Sequence, residues 1–188
     1  MGRIVVFTSV TLDGVMQAPG RPDEDTRGGF QHGGWAVRYA DAVTGGMAGQ
    51  GSGGGILLGR RTYEDFYSFW PKQKDNPFTD ILNNTPKFVA SRTLKEPLPW
   101  SNSTLLRGDT VDAIRQLEPD LVVLGSGELV RALMARHLVN QYVLLIHPLV
   151  LGTGRRLFGE GTALSSFRLV DSKTSTTGVV IATYRPIR

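Results

Sequence analysis

The chain has 188 residues, with 21 Lys and Arg against 17 Asp and Glu, and no cysteine. It contains no apolar run near the roughly 18 residues that a membrane helix needs, and the absence of cysteine excludes disulfides and thiolate metal sites. We therefore expect one cytoplasmic globular domain over residues 1–188, without a membrane partner. The net charge of +4 favours an anionic ligand, but the basic residues are dispersed, so we expect no nucleic-acid partner.

The first part of the chain predicts a strand, a long loop and a helix. Residues 4–11 are apolar and β-branched, as in a strand, and the Leu12-Asp13-Gly14 sequence that follows is typical of a turn. Residues 17–34 are rich in glycine, proline and acidic side chains, which indicates a loop of a length that is often functional. Between Trp35 and Met47 the apolar residues recur with helical spacing.

A glycine-rich stretch, residues 45–55, follows this predicted helix. It contains the pattern G-x-G-x-x-G at Gly49, Gly51 and Gly54. In a dinucleotide-binding site that pattern follows a strand and opens a helix. Here it follows a helix and leads into a strand, so we interpret it as a flexible connection.

The rest of the chain predicts alternating strands and helices, and then a hairpin. Strands are expected at residues 56–58, 87–90, 104–106, 121–124 and 142–147, and helices at 62–70 and 78–83, after Asp109 and after Gly127. Residues 167–171 and 179–184 alternate with period two around Thr177-Gly178, as in an antiparallel hairpin. The pattern predicts an α/β fold with a mixed, mostly parallel central sheet, flanking helices and a C-terminal antiparallel hairpin.

Three of the predicted strands end in small or basic residues. The residues that follow them are Gly59, Arg60, Arg61 and Thr62; Ser91, Arg92 and Thr93; and Gly125, Ser126 and Gly127. Ligands of α/β sheets bind at the carboxyl ends of strands, and helix N-termini and arginines favour phosphate there. Taken together, the three turns predict a phosphorylated dinucleotide. For the first turn alone, two solvated arginines on a loop are an equally good interpretation.

These motifs resemble the dihydrofolate reductase fold, and specifically the family related to the reductase domain of bacterial riboflavin biosynthesis, RibD. The resemblance also includes Thr11-Leu12-Asp13-Gly14 and His147-Pro148-Leu149-Val150-Leu151-Gly152, and it covers almost the whole chain in the family's order. It implies NADPH as cofactor. The resemblance implies that phosphates would be held by Arg60, Arg61 and Thr62, and the 2′-phosphate by Ser91 and Arg92. The pyrophosphate would be held by Gly125, Ser126, Gly127 and Glu128. The nicotinamide would be lined by Ser9 and Met16.

Two departures from the family leave the substrate open. Folate reductases carry an acidic residue on the first helix, but residues 33–37 have no carboxylate, and the next one is Asp41. Riboflavin reductases carry an Asp-Asn-Pro-like motif where Thr62 is followed here by Tyr-Glu-Asp-Phe. The expected function is reduction of a small planar heterocycle of pterin or pyrimidine type, as in dihydrofolate reductase or 5-amino-6-(5-phosphoribosylamino)uracil reductase. The alternative is a non-catalytic nucleotide-binding or regulatory protein with the same fold.

Three residues are candidates for catalysis, each with a structural alternative. Asp13 ends the first strand and could relay a proton or orient the substrate, or it could be a turn residue before Gly14. His32 lies in the long loop and could donate a proton, although most lone loop histidines are inert. Trp35 could stack on a heterocycle, or it could anchor the helix in the core. The three histidines lack ligand spacing, so we expect no metal site.

The resemblance also implies association, because family members are often dimers. Residues 142–146 and 179–184 are apolar enough for a sheet edge or face to be buried between subunits. We therefore expect a homodimer.

Overall fold

The computed structural model describes residues 1–47 and 54–187. Its strands are β1 (Ile4–Thr11), β2 (Gly55–Gly59), β3 (Lys87–Ala90), β4 (Ser103–Leu106), β5 (Leu121–Leu124), β6 (Gln141–His147), β7 (Phe167–Thr174) and β8 (Val180–Pro186). Its α-helices are α1 (Ala42–Gly45), α2 (Arg60–Phe69), α3 (Pro77–Asn84), α4 (Thr110–Arg115) and α5 (Gly127–Ala135). Short 3₁₀ turns occupy Arg27–Gly29, Val37–Tyr39 and Trp70–Lys72.

The strands form one eight-stranded sheet in the order β4-β3-β2-β5-β1-β6-β8-β7. The predicted fold class, a mostly parallel mixed sheet with helices and a C-terminal antiparallel hairpin, is confirmed. The chain divides into two compact units, one formed by Met1–Val5 and Ala48–Val139 and the other by Val6–Met47 and Asn140–Arg188.

The first unit contains the parallel ladder β4-β3-β2-β5. Every residue of β2 up to Leu58 is buried, and so are the first three residues of β5, as expected for strands covered on both faces. Gly55 is close to the Phe88 ring, where an added Cβ atom would lie 2.7 Å from a ring carbon. Helix α4 begins after Asp109, as the sequence predicts, and the Asp109 carboxylate accepts hydrogen bonds from the Val111 and Asp112 amides.

A buried lysine lies at one end of this ladder. Lys87 is fully buried at the start of β3, and its Nζ donates hydrogen bonds to the carbonyl oxygens of Leu82 (2.6 Å) and Thr85 (2.9 Å). The ammonium also lies 4.7 Å from the centre of the Trp100 ring. Burial lowers the pKa of Lys87 to about 8. The side chain thus satisfies carbonyl groups at the end of α3.

The second unit contains the antiparallel strands β6, β8 and β7. The turn at residues 175–179 contains Gly178 with φ of +85°, a conformation that glycine adopts without strain. A bulge between Leu169 and Asp171 interrupts the pairing of β7 with β8. The predicted hairpin is confirmed, and both of its strands are longer than predicted.

The predicted helix from Trp35 to Met47 is wrong. The structure has the 3₁₀ turn Val37–Tyr39 and then the short helix α1, separated by Ala40 in an extended conformation (φ −65°, ψ 133°). Asp41 caps α1 through its side chain, so the chain restarts a helix there instead of continuing one. Of the G-x-G-x-x-G pattern, Gly49 and Gly51 lie outside the described residues.

Candidate functional site

The three predicted turns follow neighbouring parallel strands. Gly59 at the end of β2 is in register with Ala90 at the end of β3, and Leu57 of β2 is in register with Val123 of β5. The carboxyl ends of these strands therefore meet at one edge of the first unit. This is the position at which α/β proteins bind nucleotides.

The turn after β2 leads directly into α2. Gly59 is the N-cap residue with an extended backbone, and no side chain caps the helix. Arg60 and Arg61 are the first two helical residues. The Arg60 guanidinium lies 3.5 Å from the Glu64 carboxylate one turn later, with both side chains partly exposed, and Arg61 is exposed. The first amide groups of the helix and two cations are thus close together.

The turn after β5 contains two consecutive left-handed residues. Gly125 has φ of +56°, and Ser126, the N-cap residue of α5, has φ 59° and ψ 48°. Serine is a favoured N-cap residue because its hydroxyl usually bonds to the helix amides, but Ser126 makes no such bond. A Cβ atom on Gly125 would lie 3.2 Å from the Thr62 side chain, so this turn packs against the first turn of α2.

The Ser126 hydroxyl bonds to the turn after β2. Its Oγ accepts a hydrogen bond from the Gly59 amide (2.9 Å) and lies 3.0 Å from both Thr62 Oγ1 and the Leu124 carbonyl oxygen. Sequence reasoning predicted Ser126 and Thr62 as cofactor contacts and missed these bonds to each other. No local pattern could reveal them, because the two residues are 64 positions apart.

The turn after β3 has its own hydrogen bonds. The Ser91 Oγ accepts hydrogen bonds from the amides of Thr93 (3.1 Å) and Leu94 (3.0 Å), which fixes the turn. The Ser91 hydroxyl proton can still be donated to a ligand, because a hydroxyl both donates and accepts. Arg92 is exposed on this turn. The two residues that were predicted for a 2′-phosphate are therefore accessible neighbours.

Asp13 is held by several donors in the second unit. Its carboxylate accepts hydrogen bonds from the Thr11 hydroxyl (2.5 Å) and from the amides of Leu151 (3.2 Å) and Gly152 (2.9 Å). The hydrogen bond from Thr11 is the main cause that lowers the pKa of Asp13 to about 2. Arg156 lies 3.5 Å from the same carboxylate. These bonds fix the loop that follows β6, and the catalytic role of Asp13 stays a prediction.

Trp35 lies in the core of the second unit, as its structural alternative predicted. It is 6 % exposed, packs with Val15, Ala18 and Phe30, and donates its indole N–H to the Gln17 carbonyl oxygen (2.7 Å). Its ring also meets the buried His147 ring edge-on, with centres 5.1 Å apart. Stacking of Trp35 on a heterocycle stays a prediction.

His147 ends strand β6, as predicted, and is buried. Its Nδ1 lies 2.9 Å from the Leu145 carbonyl oxygen, and burial lowers its pKa. Besides Asp13 and Trp35, three residues of this unit were predicted to contact nicotinamide or substrate, and all three are more accessible than His147. Ser9 and Met16 are partly buried, and His32 is exposed beside Phe30. Their predicted contacts with nicotinamide and substrate stay predictions.

Sequence reasoning missed Asp41 as a structural residue. Its carboxylate caps α1 through the Thr44 amide (2.8 Å) and also accepts hydrogen bonds from the amide and hydroxyl of Thr176, each 2.7 Å long. The Thr176 hydroxyl is the main cause that holds the pKa of Asp41 well below its usual range. The cap was visible in the Asp41-x-x-Thr44 spacing, but the bond to the hairpin turn was not.

Gln17 is a second residue that sequence reasoning missed. It is 4 % exposed, and its amide nitrogen donates hydrogen bonds to the carbonyl oxygens of Asp25 (3.1 Å) and Arg27 (3.0 Å). Its amide oxygen accepts a hydrogen bond from the Arg155 amide (2.9 Å). One side chain therefore joins the long loop at 17–34 to the loop that follows β6.

The described part of the chain contains neither a cluster of metal-binding side chains nor a helix that could span a membrane. Residues 1–47 and 54–187 hold no group of three His, Cys, Asp or Glu side chains that could bind a metal ion. Within the same residues, no helix is both long and apolar enough to cross a membrane.

The chain matches a known protein family over most of its length. The family model of the RibD C-terminal domain matches residues 3–181. The uncharacterized protein YyaP of Bacillus subtilis (strain 168) is 28 % identical over 139 residues, which cover 69 % of this chain and 72 % of YyaP.

Two solved structures share the fold. One is a protein from Shewanella sp. PV-4 assigned to riboflavin biosynthesis, with a TM-score of 0.71, 23 % identity and coverage of 99 % of each chain. The other is dihydrofolate reductase from Enterococcus faecalis in complex with NADP(H), with a TM-score of 0.59, 12 % identity, and coverage of 100 % of this chain and 98 % of the reductase.

Proposed function

Because the chain belongs to the RibD C-terminal domain family, we propose that it is an NADPH-dependent reductase that transfers a hydride to a small planar heterocycle of pterin or pyrimidine type. One observation carries the proposal beyond the family match. The turns that carry Arg60, Arg61 and Arg92 lie at the carboxyl ends of neighbouring parallel strands. The complex of the related dihydrofolate reductase with NADP(H) supports the choice of cofactor.

The proposed cofactor site uses two helix N-termini and three arginines. Helices α2 and α5 begin without side-chain caps, so their first amide groups are available to phosphate oxygens. Arg61 and Arg92 are exposed and can form charge-assisted hydrogen bonds. Arg60 can do the same if it exchanges Glu64 for a phosphate. These groups fit the phosphates of NADPH, and Ser9 and Met16 remain assigned to the nicotinamide by family resemblance.

When bound, the nicotinamide would supply the hydride, and the protein would supply binding, orientation and a proton route. The carboxylates of Asp13 and Asp41 are ionised at neutral pH and are engaged with structural donors. An ionised carboxylate carries no proton that it could donate to the substrate. Among the predicted catalytic residues, the exposed His32 is therefore the one we assign to proton transfer.

Isothermal titration with NADPH, NADP⁺ and NADH tests the cofactor assignment. We expect binding of the two cofactors that carry the 2′-phosphate, NADPH and NADP⁺, with NADH weaker. No binding of NADPH at millimolar concentration would refute the proposal. Oxidation of NADPH, followed at 340 nm with a panel of pterins and pyrimidines, then identifies the substrate class. In that assay His32→Gln should lower kcat and leave the affinity for NADPH unchanged.

The structural hydrogen bonds of the Asp13 and Asp41 carboxylates also favour the alternative, a nucleotide-binding or regulatory protein without turnover. The two functions differ in one observable. Tight NADPH binding without oxidation on any pterin, pyrimidine, flavin precursor or quinone would support the regulatory protein. Oxidation of NADPH that depends on one of these compounds would exclude it.

We also propose that the protein is a cytoplasmic homodimer that binds no nucleic acid. In the sheet order, β6 and β8 are paired on both sides, so they offer no free edge, and only their faces can form the predicted interface. Light scattering should give twice the 20.5 kDa of one chain. A monomer at high micromolar concentration would contradict the dimer, and a salt-dependent DNA mobility shift would contradict the absence of nucleic-acid binding.

A further inference from the structure

The hydroxyl of Ser126 has no proton left to donate to a phosphate. A serine hydroxyl has one proton to donate and two lone pairs that accept. One lone pair accepts the Gly59 amide, and the single proton is donated to Thr62 Oγ1 or to the Leu124 carbonyl oxygen, each at 3.0 Å. A phosphate oxygen could bond to Ser126 only by breaking one of these bonds.

The backbone of Ser126 adopts a costly conformation to make these bonds. The left-handed region is unfavourable for residues other than glycine. In this conformation the hydroxyl forgoes the usual bond to the amides of its own helix and reaches the turn after β2. The Ser126 side chain consequently does not cap α5, and α2, which begins after Gly59, has no side-chain cap at its N-cap residue either.

We propose that Ser126 is a positioning residue for the cofactor and not one of its ligands. Its hydroxyl, together with Thr62 Oγ1, joins the first turns of α2 and α5 and fixes the separation of their uncapped amides. A ligand that bonds to both helix N-termini then binds to a preformed site. This inference rests on the proposed function, in which the phosphates of NADPH are that ligand.

The first test uses the protein without cofactor. We would measure hydrogen exchange of the Gly59 amide in the wild type, in Ser126→Ala and in Ser126→Gly. Both variants remove the hydroxyl, and glycine also removes the backbone strain. Loss of one hydrogen bond should speed exchange about 2-fold to 10-fold in both variants. As a matched control, Ser68→Ala removes a hydroxyl that bonds to the Asp65 carbonyl oxygen within α2, and the Gly59 rate should not change.

The second test separates positioning from direct contact. Ser126→Ala should weaken NADPH binding about 3-fold to 10-fold, and Thr62→Val should weaken it less, because the bond between Ser126 and the Gly59 amide remains. The double variant should be no weaker than Ser126→Ala, because that variant already removes the bond to Thr62. Two direct ligands would instead multiply their losses. Adenosine 2′-monophosphate, which lacks the pyrophosphate, should bind all variants equally, whereas general damage to the fold would weaken it too.

Three results would overturn the inference: unchanged Gly59 exchange in Ser126→Ala, multiplied losses in the double variant, or an equal loss for adenosine 2′-monophosphate. If the wild type bound no NADPH, the proposed function would fail, and the positioning role would fail with it. Gly59 exchange would still show in that case whether Ser126 joins the two turns. The two failures are therefore distinguishable.

Discussion

Two regions of the molecule are held in place by different means. The turns after β2, β3 and β5 take their positions from the parallel strands that precede them. The segment from Asp13 to Thr44 contains little regular structure, and buried or charged side chains hold it against loops more than 130 residues away in the chain. This difference shows where polar side chains are available for function. The turns keep exposed arginines, whereas the segment uses its carboxylates and Gln17 for its own structure.

This difference yields separate expectations for the two regions. Variants of the turns should change cofactor affinity with little effect on stability. Variants of the buried polar residues in the segment should change stability, because each leaves backbone groups without partners. The predictions below test that separation.

The largest effect is expected for Gln17→Met. Methionine fills a similar volume but cannot bond to the Asp25 and Arg27 carbonyls or to the Arg155 amide. Unpaired buried groups should lower the free energy of unfolding by about 2–4 kcal/mol, as measured by urea denaturation. Gln31→Met, at an exposed position of the same segment, should change it by less than about 0.5 kcal/mol. Equal effects of the two substitutions would contradict a structural role of Gln17.

The next effect concerns binding. Arg92→Ala should weaken NADPH about 10-fold to 100-fold, because a charge-assisted hydrogen bond contributes roughly 1.5–3 kcal/mol. NADH lacks the 2′-phosphate and should bind the variant almost as well as the wild type. Isothermal titration of both cofactors measures the two ratios, and the unfolding free energy should stay within about 0.5 kcal/mol of the wild type. A uniform loss for both cofactors would assign Arg92 to the pyrophosphate or to structure.

The two regions also differ in how well the sequence predicts them. Apolar runs such as Leu121–Leu124 and cap residues such as Asp109 act locally, so strands, helix starts and the order of the turns could be predicted. The helix predicted from Trp35 to Met47 failed because its apolar spacing is also compatible with separate turns. Asp41 begins a new helix as its N-cap, and its bond to Thr176 depends on the hairpin turn, 135 positions away in the chain.

The same limit applies to the candidate site. The turns could be chosen as candidate anion sites from the sequence, because glycine and arginine after a strand indicate anion binding without knowledge of their neighbours. The partners of Ser126 and Asp13 were not, because both side chains bond to residues that only the folded chain brings near. A hydroxyl or carboxylate in a motif is therefore a weaker prediction of ligand contact than an exposed arginine.

A smaller effect is expected for Asp13→Asn. The folded-state pKa of about 2 lies below the ordinary 3.8, so ionised Asp13 stabilises the protein above about pH 4, and this stabilisation is lost as the pH falls toward 2. With allowance for solvent screening, the variant should be less stable by about 1–2 kcal/mol at pH 7. Urea denaturation at pH 7 and pH 2.5 should show this difference shrinking. Asp171→Asn, exposed on β7, serves as the control, and a difference independent of pH would exclude the charge as its cause.

The smallest effect is expected for Glu64→Gln, which tests whether Arg60 is available to a phosphate. Glu64 and Arg60 form an exposed ion pair one helical turn apart, and such pairs contribute only about 0.3–0.5 kcal/mol, so stability should barely change. Removal of the carboxylate releases the guanidinium and takes a negative charge away from the proposed phosphate site.

NADPH should therefore bind Glu64→Gln about 2-fold more tightly at low salt, and the gain should disappear near 0.5 M salt, where exposed charges are screened. Glu118→Gln is the matched control, because it raises the net charge equally from an exposed position near the end of α4. If both variants tightened binding equally, the effect would come from net charge. If Glu64→Gln weakened binding, Glu64 would support the site, and Arg60 would act in NADPH binding only as a member of the ion pair.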